Sequence, residues 1–173
     1  KPERIEVERP AGALAGRGGI DVALRPRLSD GRDGIDHAMR EYPYSCLEQQ
    51  ASVAIALQDA ERWRSVMEAL PSYLDCDGFA RFFPTSGPGS AVLTSYLLAI
   101  SDEAKWEIPA ASRERMLGAL TRFVEGSVTR DGFVRSIDLP LRKLAAVEAL
   151  ARHGRATPAL IGSIAIEPML LTN

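Results

Sequence analysis

The chain has 173 residues, 46% of them hydrophobic, enough to bury one sizeable core. Its 21 basic and 23 acidic residues give a formal net charge of −2, and no concentrated basic stripe offers nucleic acid an electrostatic footing. The longest apolar stretch with little interruption, Ala91–Ile100, is about half of the roughly 20 residues a helix needs to cross a bilayer.

In chain order, residues 1–29 differ from the rest. Ile5 and Val7 alternate with Glu, a Gly-rich run covers Ala11–Gly19, and Ile20, Val22 and Leu24 alternate again. Period-two patterning around a Gly-rich break predicts a short extended or β segment. From about residue 30 to 173 the period is helical. Asp33–Tyr42 reads as a short helix closed by Pro43. Ser45 is a favoured N-cap with Glu48 three residues on, a capping-box spacing that opens a helix over Cys46–Gln58. Ala60–Leu70 forms a more polar helix ended by Pro71. Asp75–Pro88 is a turn-rich connector carrying Phe79, Phe82 and Phe83, and Ala91–Glu103 is apolar on most faces, as a buried helix would be. Over Ala110–Gly126, Met116, Leu117, Leu120, Phe123 and Val124 make one stripe opposite Arg113, Glu114, Arg122 and Glu125. Leu139–His153 repeats that design with Leu141, Leu144, Ala145 and Leu150 inward and Gly154 as the stop. Thr157-Pro158 starts a last helix to about Ile166. Asp77-Gly78-Phe79 and Asp131-Gly132-Phe133 form a weak internal repeat. The fold class expected is all-α, with heavily apolar helices alternating with amphipathic ones in two layers.

Cys46 and Gln49 carry the chemistry. Residues three apart on a helix share a face, with Cβ atoms about 5–6 Å apart, so the Cys46 sulfur can reach the side-chain carbonyl carbon of Gln49. Expelling ammonia there would leave an internal thioester, a strained acyl donor. Thiolates are the nucleophilic form, and a helix N-terminus favours anions. Glu in place of Gln49 would present a different leaving group and Asn a shorter reach. On spacing alone, a core thiol beside a surface amide is the commoner meaning of Cys-x-x-Gln. A disulfide between Cys46 and Cys76 is the other possibility that two cysteines raise; the thioester requires Cys46 to stay unpaired with Cys76.

The longer string Tyr42-Pro43-Tyr44-Ser45-Cys46-Leu47-Glu48-Gln49 resembles the thioester site of the alpha-2-macroglobulin family, in particular its bacterial branch; animal relatives usually carry Gly between the Cys and the Glu. The resemblance runs from about Gly31 to Glu167, with supporting segments at Leu74–Pro84, Gly89–Asp102 and Leu139–Gly154. It implies that residues 30–173 are the N-terminal part of an α/α toroid, a partial ring. Residues 1–29 would then be the strand leading in from a flanking β-sandwich domain, and the whole would be an excised piece of a larger protein. It further implies a single-use covalent trap rather than an enzyme. Gln49 would be transferred to an amine of an attacking endopeptidase while Cys46 leaves as thiolate. The parent would be a periplasmic lipoprotein held at the inner membrane by an anchor elsewhere in its chain. Tyr42 and Tyr44, oriented by Pro43, are candidates for shielding the bond from water. Leu47 is expected in the core, and Glu48 at the cap. No cofactor and no metal are expected, since two histidines and scattered acids make a poor ligand set.

In complement relatives a downstream histidine directs the acyl group to hydroxyls. Here His153 has roughly suitable spacing but ends a helix, and His37 sits on a polar one, which favours amine acceptors. Two rivals remain. A cysteine-nucleophile enzyme would pair Cys46 with His37 or His153 and an acid such as Asp36 or Asp138, and it leaves Gln49 without a purpose. A non-covalent helical scaffold would leave Cys46 a free thiol.

Overall fold

The computed structural model describes residues 33–130 and 138–164, with scattered positions among the first nineteen. Two units are separable, Lys1–Asp33 and Gly34–Asn173. In the first, Gly12, Gly16 and Gly18 have positive φ, and Arg4 and Glu6 form an exposed ion pair. The alternating residues Ile5, Val7, Ile20, Val22 and Leu24 lie outside the described residues, as does Asp131-Gly132-Phe133.

Among the described residues seven helices follow in order: α1 (Asp33–Arg40), α2 (Leu47–Leu57), α3 (Ala60–Tyr73), α4 (Ala91–Ala104), α5 (Ala110–Glu125), α6 (Asp138–Arg152) and α7 (Pro158–Gly162). Extended pairing there is limited to isolated bridges of Ala80 with Leu74 and with Ser90. The expectation of a helical chain therefore holds for the second unit.

The joints are local chemistry. Gln58 ends α2 in the left-handed region (φ 54°), and Asp59 at once caps α3 by accepting from Arg62 N–H at 3.0 Å. Ser90 caps α4, Gly126 ends α5 at φ 83°, and Thr157 caps α7 ahead of Pro158.

α4 is the central element, packed against α2, α5 and α6. Its buried face carries Leu93, Leu97 and Leu98 together with Thr94, Ser95 and Ser101. Those hydroxyls return to carbonyls of their own helix or its cap, Thr94 to Ser90 at 2.7 Å and Ser95 to Ala91 at 2.9 Å, so an interior helix carries polar side chains without orphaned groups. The α5 stripe (Met116, Leu117, Leu120, Phe123, Val124) is buried as expected.

Two expectations need correction. Pro71 does not end α3; it lies inside the last turn, and the helix runs to Tyr73. The ring removes one hydrogen bond in the last turn, while fully buried Leu70 and then buried Leu74 anchor the turn on both sides. In α6 the buried residues are Ala146, Val147, Ala149 and Leu150; Leu144 is partly buried, whereas Leu141 and Ala145 are exposed. α6 packs against both α4 and α5. Ala146 and Ala149 admit close approach, so the side with the small residues wins over the side with the larger leucine.

Candidate functional site

The start of α2 gathers the motif. Cys46 is its N-cap, with φ −70° and ψ 161°, and Gln49 occupies the third helical position. The two residues form a capping box across the first turn: the Cys46 side chain faces the Gln49 backbone N–H, and Gln49 Oε1 accepts from Cys46 N–H at 3.2 Å. Each side chain thus turns back toward the other residue's backbone N–H. Cys46 is buried and Gln49 half-buried.

This box replaces the one expected at Ser45 and Glu48. The helix begins one residue later because a tertiary contact takes its first donor: Leu47 N–H donates to Phe82 O at 2.9 Å. Ser45 is left exposed, its carbonyl accepting from the Gln50 side-chain amide, which also reaches the Tyr73 hydroxyl at 3.3 Å. Glu48 turns toward α4 instead of capping. Its carboxylate lies 3.0 Å from Ser52 Oγ, and that hydroxyl lies 2.6 Å from the Tyr96 hydroxyl. Ser52 Oγ is also 2.7 Å from Glu48 O, so its single proton has two acceptors while Tyr96 supplies the other contact.

Leu47 is fully buried, directly beneath the pair in sequence. Tyr42, Pro43 and Tyr44 are exposed, and the two tyrosine rings meet edge to face with centroids 5.4 Å apart. They form an apolar edge immediately before Cys46. Phe82 and Phe83, on the connector that supplies the Leu47 acceptor, are half exposed as well.

Cys46 and Cys76 are both free, the first buried and the second exposed. His37 is exposed and pairs with Glu41 at 3.4 Å. His153 Nε2 sits 3.1 Å from Leu98 O on α4. Among the described residues neither histidine makes a hydrogen bond with Cys46, the contact a cysteine protease or transglutaminase would use.

Sequence reasoning missed the polar anchor behind the connector. Asp75 is buried and accepts from Phe79 N–H and Gly89 N–H, each at 2.9 Å, and lies 3.4 Å from Arg130 Nη2. Burial pushes the Asp75 carboxyl up. Donation from Gly89 and Phe79 N–H, the Arg130 charge and Asp77 N–H outweigh it and hold the group below its ordinary value. The only sequence signal was an Asp-Cys-Asp-Gly turn followed by a glycine at 89.

Elsewhere, a groove of about 590 Å³ runs between α3 and the α4–α5 junction, lined by Trp63, Trp106, Met67 and Arg113 among others. It includes neither Cys46 nor Gln49. Among the described residues no cluster of three or more His, Cys, Asp or Glu side chains could hold a metal ion, and no helix is long and apolar enough to cross a membrane. No protein-family model, no curated protein and no solved structure matches this chain.

Proposed function

We propose that residues 30–173 are the thioester-bearing segment, a partial α/α toroid, of a bacterial protease-trapping macroglobulin. The observation that carries this reading is the Cys46–Gln49 capping box. An N-cap side chain and the third helical side chain are the pair a first turn brings together. Here those positions hold a thiol and a carboxamide, a combination that can condense.

The step balances simply. Cys46 Sγ loses its proton and bonds to Gln49 Cδ, and the amide nitrogen leaves with that proton as ammonia. Gln49 Oε1 stays on the acyl carbon, where Cys46 N–H already donates to it at 3.2 Å. The same N–H would polarise the acyl group when an amine attacks. The incoming nitrogen then bonds to Cδ and gives up one proton to solvent, the C–S bond breaks, and Cys46 departs as thiolate. Each protein reacts once, so the product is a covalent adduct and not turnover.

Burial of Cys46 supports protection of such a bond from water, and the Tyr42–Tyr44 edge offers apolar surface for further cover by other domains of the parent. The engagement of His37 with Glu41 and of His153 with Leu98 O favours amine acceptors over hydroxyls. Target endopeptidases, a periplasmic location and a lipid anchor elsewhere in the parent belong to the same proposal. A non-covalent scaffold is the alternative, and it takes the capping box as a purely structural one.

The deciding experiment is intact mass under neutral, native conditions, with and without methylamine. The expected protein is lighter than its sequence by one ammonia, gains the amine at Gln49, and only then exposes Cys46 to alkylation. A full sequence mass with Cys46 already free in the complete parent protein overturns the proposal.

A further inference from the structure

The connector between α3 and α4 touches the candidate site through one hydrogen bond, Leu47 N–H to Phe82 O. That bond covers the first backbone donor of α2, next to Cys46. What holds Phe82 in place is a set of anchors at the root of the connector. Asp75 closes the loop on itself, one carboxylate oxygen taking Phe79 N–H and the other Gly89 N–H. Ala80 is bridged to Leu74 and Ser90, and its N–H donates to Thr94 Oγ1 of α4 at 2.9 Å. Arg81 ties the tip by donating to Gly87 O at 2.9 Å and Pro84 O at 3.2 Å. From α5 and the segment after it, Arg115 donates to Asp75 O at 2.7 Å, Arg122 to Asp77 O, and Arg130 binds both Asp77 and Asp75 while stacking 4.8 Å over the Phe79 ring.

Space at the root is exhausted. A Cβ at Gly89 would sit 2.4 Å from Phe79 O, and one at Gly78 would sit 2.5 Å from Arg115 O. The tip is more open. Phe82 and Phe83 are about half exposed, Arg81 N–H beside them donates to Tyr73 O of α3 at 2.9 Å, and the link to α2 is a single backbone bond. A crowded root with an open tip that meets α2 through one bond is the construction of a strap.

We infer that residues 75–90 are a strap over the first turn of α2, that Asp75 and Thr94 are its positioning residues, and that its closure limits access to Cys46. When the strap lifts, Leu47 N–H loses its acceptor, the first turn of α2 loosens, and the Cys46–Gln49 box opens with it. Asp75 and Thr94 act through the strap and touch neither reacting group in this arrangement. The consequence for acyl transfer rests on the thioester reading above; the strap itself can be read on the free thiol.

The experiment uses the chain with Cys76→Ser, treated first with methylamine so that Cys46 is free whether or not a thioester was present. The resulting methylamide keeps the oxygen that Cys46 N–H uses. Two variants, Asp75→Asn and Thr94→Val, cut separate anchors, and Leu160→Ala on α7 weakens packing away from the strap. Iodoacetamide alkylation of Cys46 and amide exchange at Leu47, Gly89 and Leu120 are followed in each. Both strap variants are expected to speed Cys46 alkylation and Leu47 exchange by about tenfold or more, with Leu120 unchanged and Leu160→Ala without effect at Leu47. Faster exchange at Gly89 without a change at Leu47 or Cys46 overturns the proposal. So does a uniform rise that includes Leu120, because that is global loosening. Failure of the thioester itself shows separately, as the absence of amine uptake in the untreated parent.

Discussion

The two cysteines sit in contrasting surroundings. Cys46 is buried at the cap of α2, its backbone N–H bound to the Gln49 side chain and its neighbour Leu47 at the centre of the core. Cys76 is exposed on a turn whose flanking aspartates do the structural work, Asp75 inward and Asp77 on Arg130. Both are free thiols. The difference lies in what stands three residues on. After Cys46 comes an amide carbon within the same helical turn; after Cys76 comes Phe79, whose backbone N–H serves Asp75. Position relative to a helix, rather than the thiol, separates a candidate acyl acceptor from a surface residue.

The largest expected effect tests that separation directly. Cys46→Ala or Gln49→Asn should abolish methylamine incorporation, and Cys76→Ser should leave it intact, both by intact mass. Incorporation that survives Gln49→Asn, or that vanishes with Cys76→Ser, would break the contrast. Stability should divide the two regions as well. Leu47→Ala truncates a fully buried side chain and is expected to cost about 2–5 kcal/mol in denaturant unfolding. Cys76→Ala, on the surface, should stay within about 0.5 kcal/mol. Equal costs would mean that the start of α2 is less firmly seated than its burial implies.

Acid should narrow the contrast. The carboxyl of Asp75 is depressed in the folded protein relative to its ordinary value of 3.8. A depressed carboxyl contributes stability that is present above the unfolded value and lost as pH falls toward and through the folded one. The groups facing it are Arg130, Arg115 and Asp77, which shares Arg130. Below about pH 4, Cys46 in methylamine-treated protein should become more accessible to a reagent that works in acid, such as a pyridyl disulfide, and Asp75→Asn should remove most of that pH dependence. An unchanged profile in Asp75→Asn would assign the acid response to other carboxylates.

How much of this was legible in the sequence depended on range. A helix start with a strong local signal was readable: Thr157 before Pro158. So was the α5 stripe, whose large apolar residues Met116, Leu117, Leu120, Phe123 and Val124 recur at helical spacing and are all buried. The α6 face was not, since the alanines at 146 and 149, and not the larger leucine at 141, set its close side. The site itself was legible as a pair, Cys46 and Gln49, but its capping register was not. Ser45 is the better cap by side chain, yet Phe82 O, 35 residues away in the chain, satisfies Leu47 N–H and moves the helix start on by one. The role of Asp75 was hidden for the same reason: Gly89 lies 14 residues downstream and Arg130 lies 55. Local rules give a turn there, and only tertiary contacts make it an anchor.

The smallest effect is the one that most sharpens the meaning of the thiol. Cysteine is not among the preferred N-caps, whereas serine is, because its oxygen is the stronger acceptor for the first-turn N–H groups. At Cys46 the backbone is already in the extended cap conformation and faces Gln49 N–H, so Cys46→Ser needs no rearrangement. Compared with methylamine-opened wild type, in which no covalent link contributes, Cys46→Ser should raise stability by about 0.5 kcal/mol, a shift of one or two degrees in Tm. The same variant should take up no amine. A cap that becomes better when its sulfur is removed would mean that α2 is held by a weaker cap than its backbone could accommodate, and that the thiol serves chemistry instead of the helix. Should Cys46→Ser lower stability, burial of the apolar sulfur outweighs its poor capping, and the residue would be explained by packing as a scaffold requires.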